Sequence, residues 1–160
     1  MIRLIAIFIF VVPLLSTIQA QMDSIFTGVS NREILTSEVY QEWYQQYYYD
    51  YDPSNRVLQD LEIPESLHID IVLADWCSDS RREVPRFFKV LDVWGYTGEV
   101  PLYFVDKNKK DPAGLTTKWY IEKVPTIIFS IEGEEIGRIV ETPDKSLEKD
   151  LRNILKAAEY

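Results

Sequence analysis

The chain has 160 residues, a formal net charge of −9, 46% apolar side chains, one cysteine and one histidine. Its acidic balance repels phosphate backbones and argues against nucleic acid as a partner. One cysteine closes no internal disulfide, and with a single histidine it makes no structural zinc site.

The chain begins as an export leader. Met1-Ile2-Arg3 carries one positive charge, Leu4 to Leu15 is unbroken apolar sequence, and Ser16-Thr17-Ile18-Gln19-Ala20 ends on a small residue suited to cleavage. Residues 1–20 read as a signal peptide, which makes the protein periplasmic or secreted. The uncharged run from Leu4 to Met22 also approaches the ~20 residues of a membrane span. An uncleaved leader that anchors the protein is therefore the alternative, and the one case in which a membrane is a partner. Cleavage after Ala20 removes Arg3 and leaves the rest more acidic, with length enough for one domain and a sizeable core.

Residues 21–66 read as a helical extension. Gln21 to Asn31 is a polar lead-in, and Asn31 can cap a helix that starts near Arg32. Val39, Tyr40, Trp43, Tyr44, Tyr47, Tyr48 and Tyr51 recur at steps of three and four, one face of a helix that Asp52-Pro53 stops. Such a stripe usually packs on a sheet with its hydroxyls at the rim. Ser54 can cap a short helix from Arg56 to Leu61, closed by Pro64.

Residues 67–160 read as an α/β domain. His68 to Ala74 is an apolar strand interrupted by Asp70. A helix follows from about Asp79 to Trp94, with Pro85 inside it and Gly95 as its C-cap. Val100 to Val105 is a second strand, Asp106 to Gly114 a polar loop and Leu115 to Tyr120 a short helix. Thr126 to Ser130 and Glu135 to Val140 form a hairpin around Glu132-Gly133-Glu134, and Asp144 or Ser146 caps a last helix reaching Ala158.

The lone thiol sits at the first strand-to-helix junction, in Trp76-Cys77-Ser78-Asp79-Ser80. There it meets the unpaired N–H groups and the positive dipole end of a helix, a setting that favours the nucleophilic thiolate. Arg81 and Arg82 add to that effect and Asp79 opposes it. His68 lies nine residues upstream at the far end of the strand, so a Cys–His hydrolase is rejected.

These residues resemble the thioredoxin-like family. Trp76-Cys77-x-x-Ser80 matches the family's W-C-x-x-C with serine in the last place. Pro85 falls where thioredoxins carry their helix-kinking proline, and Lys123-Val124-Pro125-Thr126 matches the cis-proline segment. The string from Trp76 to Pro85 is most similar to secreted thioredoxin-like reductases that read W-C-x-x-C-R/K-x-E-x-P. The resemblance implies a thioredoxin fold, a central mixed sheet flanked by helices, over roughly Ile69 to Ala158. It also implies that Pro125 lies beside Cys77, with the backbone of Val124 free to pair with an extended substrate. Three departures go together. The resolving cysteine is Ser80, the buried acid that serves it is Ile71, and that acid's lysine partner is Leu102.

By the same resemblance, Cys77 is the nucleophile, Ser80 a hydrogen-bond donor to its thiolate and Glu83 a proton-handling group. Trp76, Val124 and Pro125 form the substrate-binding surface. Each has a plainer reading: a small apolar side chain for Cys77, a first-turn residue for Ser80, packing for Trp76, a solvated charge for Glu83 and a turn for Pro125. Two functions follow. One is thiol-disulfide exchange through a single thiol, with protein or small-molecule disulfides and thiols as partners and no cofactor. The other is a redox-inactive module that holds extended peptides at the cis-proline groove. An iron–sulfur role like that of C-x-x-S glutaredoxins is disfavoured by Trp76 and the leader.

Overall fold

Alternation along the central strands sorts the apolar side chains onto two faces of one sheet. The computed structural model of the protein describes residues 25–112 and 114–158; the leader reading, residues 1–20, lies outside them. The sheet has five strands in the order β1-β3-β2-β4-β5. They are β1 (Gly28–Ser30), β2 (Leu67–Leu73), β3 (Leu102–Phe104), β4 (Thr126–Ile131) and β5 (Glu134–Val140). β2 runs parallel to β3, with Ile71 opposite Leu102, and antiparallel to β4, with His68 opposite Ser130. β5 closes a hairpin on β4, and β1 lies antiparallel on the outer side of β3. The helices are α1 (Gln41–Asp50), α2 (Asn55–Leu58), α3 (Ser78–Trp94), α4 (Leu115–Lys118) and α5 (Leu147–Ala158). This mixed sheet with its flanking helices is the thioredoxin fold.

The two faces are covered unequally. Ile69, Ile71, Leu73, Phe104, Ile127 and Phe129 pack under α1, α3 and α5 in the main core. Val72, Ala74, Val105 and Ile128 face the other way, where α4 and its loops, through Trp119, Ile121 and Val124, lie over them together with Trp76 and Cys77. Ile71 and Leu102, neighbours in register, are both fully buried on the α3 side. No helix among the described residues is long and apolar enough to cross a membrane.

Four details differ from the sequence reading. Residues 21–66 are not only helical. Gly28–Ser30, expected as loose lead-in, pairs with Leu102–Phe104 and supplies the edge strand. The tyrosine stripe packs mainly on α3 rather than on the sheet. Tyr44 meets Phe88 edge-on at 6.4 Å, Tyr48 donates to Asp92 at 2.5 Å, and Arg32 forks onto Asp92 at 2.7 and 2.6 Å. Tyr40 alone of the stripe stacks on a strand residue, Phe104, at 5.9 Å. Ser54 makes no side-chain cap; instead its N–H donates to the buried carboxylate of Glu148. Asn31 does cap, but the turn it opens, Arg32–Thr36, is a 3-10 turn.

Two packing details carry expected outcomes. A Cβ on Gly137 of β5 would lie 2.8 Å from Cγ2 and 3.0 Å from Cγ1 of Ile154 on α5. Ile154 is β-branched and stiff. Gly137→Ala is therefore expected to cost about 1–3 kcal/mol in overpacking, more than the 0.4–1 kcal/mol gained from a less flexible unfolded chain. Urea denaturation measures it.

Glu148 stands in the first turn of α5 and accepts from the Tyr51 hydroxyl at 2.8 Å. Burial pushes its carboxyl up, but the hydrogen bonds from its own backbone N–H, from Tyr51 and from Ser54 outweigh burial and hold it below its ordinary 4.5. A carboxyl depressed in the folded state stabilises above its unfolded value, and that stability is lost as pH falls through the folded value. Tyr51→Phe is expected to cost about 1.5–3 kcal/mol near pH 7, as for a hydrogen bond to a charged group. The gap from wild type should shrink below about pH 4.5, as Glu148 takes up its proton. Urea stabilities of the two proteins across pH 3–7 check this.

Candidate functional site

β2 ends at Leu73 and the chain turns through Ala74, Asp75 and Trp76 into α3, with Cys77 as N-cap residue in extended conformation. The thiol is half-buried. Arg81 N–H closes the first intrahelical bond onto the Cys77 carbonyl at 3.1 Å. The N–H groups of Ser78, Asp79 and Ser80 are therefore the first-turn donors without intrahelical acceptors, next to the sulfur. Across from it the Val124–Pro125 peptide is cis. The Cys77 thiol donates to the Val124 carbonyl at 3.2 Å. That bond belongs to the neutral thiol, because a thiolate has no proton to offer. Val124 N–H donates to no group among the described residues.

Trp76 stands beside the thiol, half-buried, and its indole N–H donates to the Val105 carbonyl at 3.2 Å. Trp76 and Cys77 both pack against the small second core of Val72, Ala74, Val105, Ile121, Val124 and Ile128. The structure thus brings Trp76, Cys77, Val124 and Pro125 to one place. Ser80 lies one turn along and is buried; its hydroxyl accepts from Ala74 N–H at 3.2 Å, tying the helix to the strand end. Glu83 is also buried and faces elsewhere. Its partners are Arg82 Nε at 2.6 Å and Arg86 Nη1 at 3.3 Å, and the thiol is not among them. Arg82 also pairs with Asp79 at 2.6 Å, so the acid beside the motif is matched by a guanidinium. Ile71 and Leu102 put two fully buried apolar side chains on the α3 side of the sheet.

Two residues near the thiol escaped sequence reasoning. Asp75, just before Trp76, accepts from Phe26 N–H and from the Tyr40 hydroxyl, each at 3.3 Å. Arg81 Nε donates to the Asp75 carbonyl. The segment before β1 and the residue that leads into α1 are therefore fastened to the loop that carries Cys77. Burial, with the charge of Asp75 and the bond to it, pushes the Tyr40 hydroxyl up to about 12. Tyr40 therefore remains a proton donor to Asp75 through the neutral range. Its place at the head of the tyrosine stripe was the only signal in the sequence. Among the described residues no group of three or more His, Cys, Asp or Glu is placed to hold a metal ion.

No protein-family model matches the chain, and no curated protein matches it. Solved structures do. A Pseudomonas aeruginosa protein of unknown function aligns at 15% identity and a TM-score of 0.57, over 81% of this chain and 92% of that one. An HIV epitope-scaffold aligns at 14% identity and a TM-score of 0.56, over the same 81% and 92%. The chain is also similar to thioredoxin O2 from Arabidopsis thaliana, at 20% identity, a TM-score of 0.41 and coverage of 64% and 83%. At these identities the likeness is one of fold.

Proposed function

We propose, from a thioredoxin fold that holds its one cysteine against the Val124–Pro125 segment, that this protein performs thiol-disulfide exchange through Cys77 alone. The observation that carries the reading is the meeting of a half-buried thiol, on the N-cap residue of α3, with the Val124 carbonyl at 3.2 Å. A thiol placed for packing alone has no need of the first-turn donors of α3 on one side and an unpaired Val124 N–H on the other. An extended substrate could pair with that N–H while its disulfide meets the sulfur.

The exchange balances with one protein thiol. Cys77 gives up its proton to solvent, and its thiolate attacks one sulfur of a substrate disulfide. The substrate S–S bond breaks, a Cys77–substrate S–S bond forms, and the departing sulfur leaves as a thiolate that water can protonate. A second thiol, from the substrate or a small molecule, then attacks the mixed disulfide and frees Cys77. Net oxidation state is conserved across the protein, which suits isomerisation or the removal of small thiol caps. The substrates would be protein or small-molecule disulfides outside the cytoplasm. Ser80 would offer the thiolate a hydroxyl proton, and Trp76 would offer the substrate an apolar wall.

Restoring the second thiol tests the geometry. Ser80→Cys places sulfurs at i and i+3 of one helical turn, within the ~4.4–6.8 Å between Cα atoms that a disulfide needs. The variant is expected to form an internal disulfide, lighter by two hydrogens in intact mass, and to reduce a protein disulfide when supplied with electrons. A variant that folds and stays in the dithiol form under an oxidant would count against a site built for exchange. The competing reading is a peptide-holding module with an idle thiol. It predicts that extended peptides bind equally well after Cys77 is alkylated and that no mixed disulfide accumulates.

A further inference from the structure

We propose that the cleft on the α4 face of the sheet binds a small organic cation, an alkylammonium or guanidinium group, seated on Asp70 beside the paired rings of Tyr103 and Trp119. Asp70 interrupts the apolar run of β2 and points to the same face as Val72, the side that α4 covers only in part. It is 5% exposed, in the central strand of the five. A carboxylate removed from water to this degree is costly to hold unless its charge is paired.

The pairing is half complete. Oδ1 accepts from the Tyr103 hydroxyl at 3.1 Å and lies 3.4 Å from His68 Nε2. Oδ2 has no hydrogen-bond partner among the described residues. The residue nevertheless lines a cavity of about 310 Å3, together with His68, Tyr103, Trp119, Lys118 and Ser130. This size lies at the low end of ligand sites, where a small molecule fits. A carboxylate has about four lone-pair sites, and here Oδ2 is left without a protein partner among the described residues, in a residue that lines the cavity.

The walls suit a cation. Tyr103 and Trp119 meet edge to face, with centroids 5.4 Å apart and planes at 77°. Ring faces of tryptophan and tyrosine attract ammonium and guanidinium groups. The chain's own Lys118 ammonium already rests 5.9 Å from the Trp119 centroid. The other acid of the lining, Glu135, is taken by Arg138 in a forked pair at 2.6 Å, and Arg138 also donates to the Trp119 carbonyl at 3.0 Å. That pair fixes the wall and leaves Asp70 as the carboxylate with an oxygen to offer. Lys118 is the internal competitor for it. The cleft does not depend on the thiol: Asp70 lies at the middle of β2, and from there to Ala74 at the start of the thiol's turn the strand rises ~13 Å.

The test uses the full mature chain and titrates methylguanidinium against methylurea, its neutral analogue in shape, with the Trp119 indole N–H followed by NMR. The expected result is one saturable site that prefers the cation at least tenfold. Asp70→Asn should erase that preference, Trp119→Leu should weaken binding severalfold, and Lys118→Gln should tighten it. A capped arginine tripeptide separates the sources. Binding tighter than methylguanidinium assigns the site to a side chain of a protein partner, and weaker binding assigns it to a free small molecule. Equal affinity for methylurea, or loss of binding in Lys118→Gln, would overturn the proposal. So would cation binding unchanged in a folded Asp70→Asn. Should Asp70→Asn fail to fold, the methylurea comparison and the Lys118 variant decide it alone.

Discussion

Cys77→Ser is expected to abolish mixed-disulfide formation entirely while leaving the fold and the Val124–Pro125 surface in place. The chain has no other cysteine, so no second thiol can take over and the background is that of a thiol-free protein. The replacement is nearly isosteric. A serine hydroxyl can donate to the Val124 carbonyl as the thiol does at 3.2 Å, so the loop between β2 and α3 keeps its closure. The remaining contacts of that loop, Trp76 to Val105 and Asp75 to Tyr40, involve other side chains. Intact-mass analysis after incubation with glutathione disulfide should show one adduct on the wild type and none on the variant. Peptide affinity, measured on both, should agree within about twofold. A variant that loses both properties would show that Cys77 shapes the surface as well as the chemistry.

Phe129→Ala has the largest stability effect we expect. Phe129 is fully buried at the middle of β4, opposite Ile69 in register, and meets Phe87 of α3 edge-on at 5.8 Å and 79°. Truncation removes the transfer energy of the ring, leaves a cavity between the sheet and α3, and breaks the aromatic pair. Together these cost about 3–5 kcal/mol. A domain of this size holds about 5–15 kcal/mol in total, so the variant loses from about a fifth to all of it. Its urea midpoint should fall by at least ~1 M with little change in slope. Val39→Ala, at a site 75% exposed, is the control and should stay within ~0.5 kcal/mol.

Much of this core was legible because strand and helix periods write it directly. The alternation of Ile69, Ile71 and Leu73, the turn at Glu132-Gly133 and the αL glycine at Gly95 each have a local cause, and each stands where the sequence places it. β1 was not legible, since three residues show no period and Gly28–Ser30 is a strand only because Leu102–Phe104 lies beside it. The surface met by the tyrosine stripe was hidden for the same reason. A helix face announces that it is buried, not what buries it.

The site divides in the same way. The motif and the Val-Pro-Thr string mark two loops in the sequence, and the structure joins them through one sulfur-to-carbonyl contact. The partners of Ser80 and Glu83 lie close in sequence, but the motif's pattern does not say that they meet. Ser80 answers to Ala74 N–H at the strand end, and Glu83 to guanidinium groups on its own helix. Asp70 shows the reverse. A lone acid in an apolar strand is conspicuous in the sequence, yet only the packing around it distinguishes a half-paired carboxylate from a solvated one.

The central claim is that the fold equips Cys77 for exchange. The most direct measurement is the rate at which the native protein forms a mixed disulfide with glutathione disulfide at neutral pH, set beside the same protein unfolded in urea. The account predicts faster reaction in the native state, one adduct at Cys77, and prompt release of free protein when a small thiol is added. A native thiol that reacts more slowly than the unfolded one, or an adduct that added thiol does not release, would contradict it.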